Sequence, residues 1–393
     1  MVNKFSKLAV VRGQPRMSEA QFYSYFNHFK VKLIGDKTTG WIMENKLPQQ
    51  VEFINLPLKP VWGFDPWTSF GGPLQTHRSW QFLANLAAYV ADCDIINISD
   101  LFYFYCWQSA KLAKKLNKKL VTIVWENVLY HPSTYIPPYC FGVRQVLQTT
   151  DLFIARSRRT RDYLLSIGAD EKKIKVVYKG IDLKVFKPRP KDPVLKRKRP
   201  GLEGEKLKIL YVGQLVKTKG VLELLVAFER LCSEFDNLEL WLLGRSSGEP
   251  LEKKVKRLAQ RLPIKLKTRV DYDKLPAIYQ SADIYCHLSQ DWRYLGLLPG
   301  GNDWFPYAVI EAMACGLPIV ATNVGGIPEQ LGRGGNILVK QKDIDSAYKG
   351  LKKMIKLGQS RQDIGIQNRR RAEQLFEVEA QARQTEKVIL EIL

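Results

Sequence analysis

Histidine is scarce in this chain, with four residues in 393, and methionine (five) and cysteine (six) are little commoner. So few imidazoles leave no stock for a histidine-rich metal centre. Cys93, Cys106, Cys140, Cys232, Cys286 and Cys315 lie far apart and no two form a CxxC, which argues against a zinc ribbon or a disulfide framework. Most sit in apolar segments, as reduced core thiols do. No long apolar run occurs either. The longest nearly uncharged stretch, Trp304 to Pro328, contains Glu311, three Gly and three Pro, and makes a poor spanning helix. Acidic residues are also short in supply: 39 against 61 basic ones, a net charge of +22.

What remains is the mixture of a soluble globular protein, 45% hydrophobic and 25% charged, long enough for two domains. The charge is uneven. Residues 101–200 hold 22 basic and 7 acidic side chains, most of the excess. Such a block suits a polyanionic partner, nucleic acid or an anionic membrane surface, or simply a solvated cationic face with a basic linker. Near the start, Leu8–Val11 is too short for the apolar core of a secretory leader and reads as a first strand. A cytoplasmic protein is expected, with peripheral attachment to the inner face of the membrane as an extension.

Short apolar runs alternate with helical patterns. Val31–Gly35, Val51–Leu56, Asp94–Ile98, Leu120–Val124, Leu152–Ala155 and Ile174–Tyr178 predict strands. Gln81–Ala91, Cys106–Leu116, Val143–Thr149 and Arg159–Ile167 predict helices. After a Pro-rich basic stretch the alternation resumes at Leu207–Val212 and runs to a long final helix over Arg369–Leu393. The pattern predicts two α/β halves with parallel sheets: 1–187, a linker at 188–206, 207–371, and a terminal helix at 372–393. Ligands of open α/β sheets sit at the carboxyl ends of the strands, and two such halves facing each other would make a cleft.

Two motifs carry chemistry. Asp303-Trp-Phe-Pro-Tyr-Ala-Val-Ile-Glu311 leads through a helix and a strand to Gly325-Gly326. Glu311 lies among apolar neighbours, where a carboxylate must find partners. Two carboxylates beside a helix N-terminus can grip sugar and ribose hydroxyls. The second motif is a strand, the turn Gly213-Gln214, and Lys219 at a helix start. A lysine there is electrostatically misplaced unless an anion is present.

In kind, order and separation these motifs resemble the C-terminal domain of the retaining GT-B glycosyltransferases of family 4. Lys179-Gly-Ile-Asp182, Tyr279-Gln-Ser-Ala-Asp283 and Gly335-Asn-Ile-Leu-Val339 add to the likeness, which covers roughly residues 150–390. The resemblance implies a GT-B fold, with two Rossmann-like domains facing a central cleft and a C-terminal helix crossing back to the first. It implies that Lys219 neutralises the donor diphosphate, Glu311 binds the nucleotide ribose, and Asp303 contacts donor-sugar hydroxyls. Gly213, Gln214, Arg245, Phe305, Tyr307, Gly325 and Gly326 would complete the donor pocket. Three positions depart from the family pattern. Gln214 stands where Arg is usual, Asp303 is a methylene shorter than the usual Glu, and Pro306 lacks an N–H. Arg245, Arg293 or Arg12 would then supply the missing charge.

In the first half, Gly13 offers a turn after the first strand. Trp125-Glu126-Asn127 follows another strand, with His131 nearby. There the acceptor would sit, with Glu126 or His131 orienting or deprotonating its hydroxyl, or both serving as ordinary loop residues. His28, His77 and His287 read as structural. Asp92-Cys-Asp94, Asp271-Tyr-Asp273 and Asp343-Ile-Asp345 each spell a DxD, but none in the context of a metal-dependent transferase. No catalytic metal and no cofactor beyond a UDP- or GDP-sugar co-substrate is expected.

The acceptor would be a hydroxyl of a glycan or a lipid-linked compound. Aromatic Leu101–Trp107 beside Arg156, Arg158, Arg159 and Arg161 suits either a membrane-facing patch or a buried helix start. A nucleic-acid binder explains the charge but not the motifs, so no nucleic-acid partner is expected. A catalytically weak GT-B protein, or another GT-B enzyme such as an epimerase or a phosphorylase, are the remaining readings.

Overall fold

The computed structural model of the chain describes residues 5–37, 42, 44–60, 81–189, 206–245, 249–294, 298–301 and 303–393. Its contacts divide the chain into two units. The first comprises Met1–Gly180, Arg293–Gly300 and Val378–Leu393; the second comprises Ile181–Trp292 and Gly301–Glu377. Most of the predicted linker at 188–206 lies outside the described residues.

The strands of the first unit are β1 (Ser6–Val11), β2 (Phe29–Gly35), β3 (Val51–Asn55), β4 (Leu58–Pro60), β5 (Gln81–Leu83), β6 (Ile95–Ser99), β7 (Lys119–Val124), β8 (Leu152–Ala155) and β9 (Ile174–Val176). All but β4 and β5 form one parallel sheet of seven, in the order β3-β2-β1-β6-β7-β8-β9. The strands are apolar along their length because both faces are covered. Leu8 and Val10 enter one core cluster while Ala9 and Val11 enter the other. Leu120 and Val124 likewise oppose Val121 and Ile123, the period-two alternation of a pleated strand.

The second unit has β10 (Leu207–Val212), β11 (Leu238–Leu243), β12 (Ile264–Lys267), β13 (Ile284–His287), β16 (Ile319–Thr322) and β17 (Ile337–Val339). Two further strands, β14 (Trp292–Tyr294) and β15 (Leu298–Gly301), form a separate short pair that falls almost wholly in the Arg293–Gly300 segment of the first unit. The parallel sheet of the second unit runs β12-β11-β10-β13-β16-β17. This is the doubly wound Rossmann order, whose direction of winding reverses between β10 and β13. In the first sheet the same reversal lies between β1 and β6.

Two predicted elements are corrected. Gln81–Ala91 is not one helix: Gln81–Leu83 is a strand, paired antiparallel with Leu58–Pro60. The Gln108 carboxamide bonds both the amide and the carbonyl of Leu83, at 3.0 and 2.9 Å. The helix begins only at Leu86, after Asn85 turns to φ 56°. The final helix is also broken, into Arg361–Leu375 and Val378–Leu390. Phe376 is fully buried against Phe305, and its carbonyl accepts from the Ile181 amide at 2.8 Å. These contacts stop the first helix. The second places Ala382, Val388 and Ile389 in the core of the first unit, as a terminal helix returning to it should. Its Glu386 accepts from the His28 amide at 2.6 Å.

Candidate active site

The site is built where the second sheet reverses its winding, at the carboxyl ends of β10 and β13. β10 runs out at Val212 into the loop Gly213–Gly220, and β13 runs out at His287 into Leu288–Gln290. The two loops are locked together. The Gln290 amide donates to the Thr218 carbonyl at 2.8 Å. Gly220 holds φ 66°, and a Cβ there would lie 2.0 Å from the Leu288 carbonyl oxygen. Only glycine satisfies both the left-handed conformation and that approach.

Gly220 also caps the helix Val221–Cys232, so Lys219 stands one residue before it. Its ammonium forms an ion pair with the Asp303 carboxylate. On its other oxygen Asp303 accepts from the Ser289 hydroxyl and meets His287 Nε2 at 2.7 Å. His287 Nδ1 lies 3.0 Å from the Tyr285 hydroxyl. Burial works to raise the pKa of Asp303, but the His287 hydrogen bond and the Lys219 charge outweigh it and hold the carboxyl far below its ordinary range. Asp303 is therefore ionised at every working pH, with both oxygens held.

Glu311 is the opposite case. It lies on the helix Tyr307–Ala314, is 6% exposed, and accepts from the Tyr279 hydroxyl at 2.8 Å. Burial pushes its pKa up to about 7, against the smaller opposing effect of that hydrogen bond. One carboxylate is thus fixed as an anion and the other is poised near neutrality. The helix opens directly after Pro306, which turns the positive end of its dipole toward the Asp303 segment. Gly325 and Gly326 form the turn behind that segment. The Gly326 amide donates to the Asp303 carbonyl at 3.3 Å, and a Cβ on Gly326 would lie 2.3 Å from the Trp304 carbonyl oxygen.

Gln214 and Arg245 are exposed beside this array and Gly213 is half-buried. Tyr307 opens the helix and is half-buried. Phe305 is corrected: it is buried, and its ring packs edge-on to Phe376 at 5.8 Å, so its side chain serves packing. His287, read as structural from sequence, holds Asp303. Ser289 and Gln290 were missed altogether. Gln290 is 5% exposed, and its side-chain carboxamide nitrogen has no hydrogen-bond partner among the described residues. The signal for all three was positional, since they end β13 beside the winding reversal.

The polar residues predicted in the first unit are mostly taken up by the fold. Gly13 follows β1, and its carbonyl accepts from the Asp36 amide at 3.1 Å. Glu126 is corrected as a catalytic base. It is 1% exposed and accepts from the Asn127 and Val128 amides at 2.9 and 2.7 Å. Burial raises its pKa to about 8, so the group is protonated at neutral pH. Asn127 is fully buried, and its carbonyl accepts from Arg159. His131 is 4% exposed, stacked on Phe102, with Nδ1 on Ser133 and its pKa pushed by burial down to about 4. None of the three is displayed to an acceptor.

Arg12 is corrected as a substitute cation, because it is buried and bound to Glu19, Tyr23 and Asn97. The aromatic run is also settled in favour of a buried helix start: Leu101, Phe102, Phe104 and Tyr105 are in the core. Nor do the four arginines form one face. Arg156 is buried, Arg161 pairs with Glu171, and Arg158 and Arg159 are exposed.

The DxD carboxylates have other tasks. Asp92 pairs with Lys7 and Lys32, Asp271 with Lys274, and Asp345 with Arg230 and Lys349, while Asp343 caps the helix Ile344–Lys356. Among the described residues no group of three or more His, Cys, Asp or Glu could hold a metal ion, and no helix is long and apolar enough to cross a membrane.

Comparison with known proteins matches this arrangement to two family descriptions. "Glycosyltransferase Family 4" covers residues 46–185 and "Glycosyl transferases group 1" covers residues 195–371, the part that holds the whole Lys219–Asp303–Glu311 array. Together the two matches support a glycosyltransferase of group 1 type.

An uncharacterized glycosyltransferase of Methanocaldococcus jannaschii is 27% identical over 73% of this chain and 72% of its own length. A D-inositol 3-phosphate glycosyltransferase of Mycobacteroides abscessus is 29% identical over 48% of this chain, and the match spans only 40% of that protein's length. Among solved structures, a glycosyltransferase from Rickettsia africae superposes with a TM-score of 0.74 at 18% identity, covering 99% of both chains. Anabaena HepE in complex with UDP and glucose superposes with a TM-score of 0.70 at 19% identity, covering 98% of this chain and 99% of the other. These superpositions establish the GT-B fold.

Proposed function

We propose that this protein is a retaining, metal-independent glycosyltransferase. It moves a sugar from a UDP- or GDP-sugar to a hydroxyl of a glycan or lipid-linked acceptor. The observation that carries this reading is the Lys219–Asp303 ion pair, braced by His287 and Ser289 at the winding reversal of the second sheet. It also draws on the two family matches and on the names of similar proteins, which include UDP and glucose for HepE.

Breaking the anomeric C–O bond puts positive charge on the sugar and negative charge on the departing diphosphate. Lys219 and the amides at the start of the helix Val221–Cys232 take up the negative charge. Without a donor the ammonium rests on Asp303; an incoming diphosphate competes for it. Asp303, fixed and ionised, then accepts donor-sugar hydroxyls. Glu311, once ionised, accepts the two ribose hydroxyls. The buried side-chain carboxamide of Gln290 is a hydrogen-bond donor held ready at the same strand end. Retention follows if the acceptor hydroxyl attacks from the leaving-group side and gives its proton to the departing phosphate, so no protein nucleophile is required.

Incubation with UDP- and GDP-sugars in the presence and absence of EDTA tests the reading. Release of nucleotide that is insensitive to chelator, with the product's anomeric configuration matching the donor's by NMR, is the expected result. No nucleotide release and no nucleotide binding with any donor would overturn it.

A further inference from the structure

At the amino edge of the first sheet lies a cavity that the strand-end chemistry does not use. It measures about 720 Å³, within the range that holds a small ligand. Its lining comes from the starts of β1, β2 and β3 and from the turn before β6, all in the first unit. At roughly 3.3 Å per residue, the seven residues of β2 separate this edge from the carboxyl edge by about 20 Å.

Strand register sets the polar wall. Lys7 stands opposite Lys30 on β1 and β2, and Lys32 opposite Glu52 on β2 and β3, so the four side chains leave the same face of the sheet. Asp92 takes two of the cations: Lys7 Nζ and Lys32 Nζ each reach it at 2.8 Å. The hydrogen bonds from Lys32 and Lys7 hold its carboxyl well below the ordinary range, so it stays charged and keeps both ammoniums in place. Lys30 forms no ion pair among the described residues. Like charges side by side on neighbouring strands are unfavourable, and Asp92 relieves only Lys7.

The rest of the lining suits hydroxyls. Asn27, Gln49 and Gln50 are exposed, and their carboxamides make no hydrogen bond among the described residues. Each offers donors and an acceptor on one planar group. Phe5, 51% exposed, and the buried Phe26 and Phe29 supply the apolar part.

We propose that this cavity binds a segment of an anionic glycan, a run of neutral sugars carrying one acidic unit, with Lys30 on the acid and the carboxamides on neighbouring hydroxyls; the proposal rests on the reading above in which a glycan accepts the sugar. Three basic and two acidic side chains line the cavity, so one cation is left over, which matches one carboxylate. A nucleic acid or an acidic peptide brings a charge at every unit and would meet Asp92 and Glu52. The C–H face of a pyranose packs on the negative face of an aromatic ring, and Phe5 is exposed enough to offer one. Placed at the amino edge, the site anchors the body of the acceptor and not the hydroxyl that reacts.

Isothermal titration calorimetry of the full chain at physiological salt, with UDP saturating, tests this. The salt suppresses unspecific attraction of anions to so basic a protein. The probes are two glycans with one acidic unit, sialyllactose and glucuronosyl-xylotriose, their neutral cores lactose and xylotriose, and triglutamate as a measure of charge alone. The expected result is that an acidic glycan binds roughly tenfold or more tighter than its neutral core. Lys30→Met should abolish that preference. Gln49→Ala combined with Gln50→Ala should weaken glycan binding roughly tenfold, with UDP affinity kept in both variants. All three side chains are exposed, so neither variant threatens the fold.

Acidic glycans that bind no better than their neutral cores, triglutamate that binds as tightly, or binding indifferent to both variants would overturn the proposal. Failure to bind UDP would instead strike the donor reading, and the glycan titration would stand on its own.

Discussion

The two sheets share one winding order, yet their carboxyl edges are used differently. In the second unit the strand-end residues make a braced array in which Lys219 is held, among the described residues, by another member of the site. In the first, Arg12 is spent on Glu19, Tyr23 and Asn97, Asp100 and Glu126 on backbone amides, and His131 on Ser133. Asp100, for example, accepts from the Trp125 and Glu126 amides. Polarity at a strand end therefore does not mark function by itself. What matters is whether the group's hydrogen bonds are completed by the fold or left for a ligand.

The comparison breaks most sharply at Lys219 and Glu126. Lys219→Met should lower kcat/KM about 10²–10³-fold, as loss of a preorganised charge partner does, with the melting temperature little changed. Glu126→Gln should leave kcat/KM unchanged, because the carboxyl is already protonated. Equal losses in a steady-state assay would restore Glu126 to the chemistry. Next comes Arg12→Met. It should cost about 3–5 kcal/mol in urea unfolding by stranding Glu19 and the Asn97–Tyr23 pair, while donor affinity of the folded protein holds.

His287→Asn removes a brace on Asp303 but no contact with the diphosphate. It should lower kcat by about tenfold with unchanged affinity for free UDP. A parallel loss of UDP binding would mean that the imidazole itself touches nucleotide.

The gentlest test is pH. Folding raises the pKa of Glu311 from 4.5 to about 7, so the native state binds the extra proton. Stability should therefore fall as pH climbs from about 4.5 to about 7 and then level off. Glu311→Gln should flatten that slope only in part, since Glu126 and Asp100, raised to about 8 and about 6, act in the same direction. Donor KM should drop as pH rises through about 7 and lose that dependence in Glu311→Gln. Asp303, ionised throughout, adds nothing to either profile.

Much of this was legible in the chain. Strand runs such as Leu207–Val212 and Leu152–Ala155 are continuous and apolar, because parallel strands are covered twice. The helix that the Asp303–Glu311 motif predicts is present, at Tyr307–Ala314. Lys219, Asp303 and Glu311 were found because their residue types are out of place locally. His287, Ser289 and Gln290 were not, since nothing local distinguishes a strand-end histidine from a core one. Their role exists only because Asp303 returns from another loop to meet them.

Sequence alone determined the α/β alternation, the two halves and the residues proposed to carry the donor chemistry, since these depend on periodicity and on charges that their neighbours cannot satisfy. Tertiary structure alone decided which polar groups are spent. It closed Glu126 and His131 into the interior and broke the last helix at Phe376. The physical reason is that hydrogen-bond completion depends on partners distant in the chain, as with Arg12 and Asn97 or His287 and Asp303, and no local pattern encodes them.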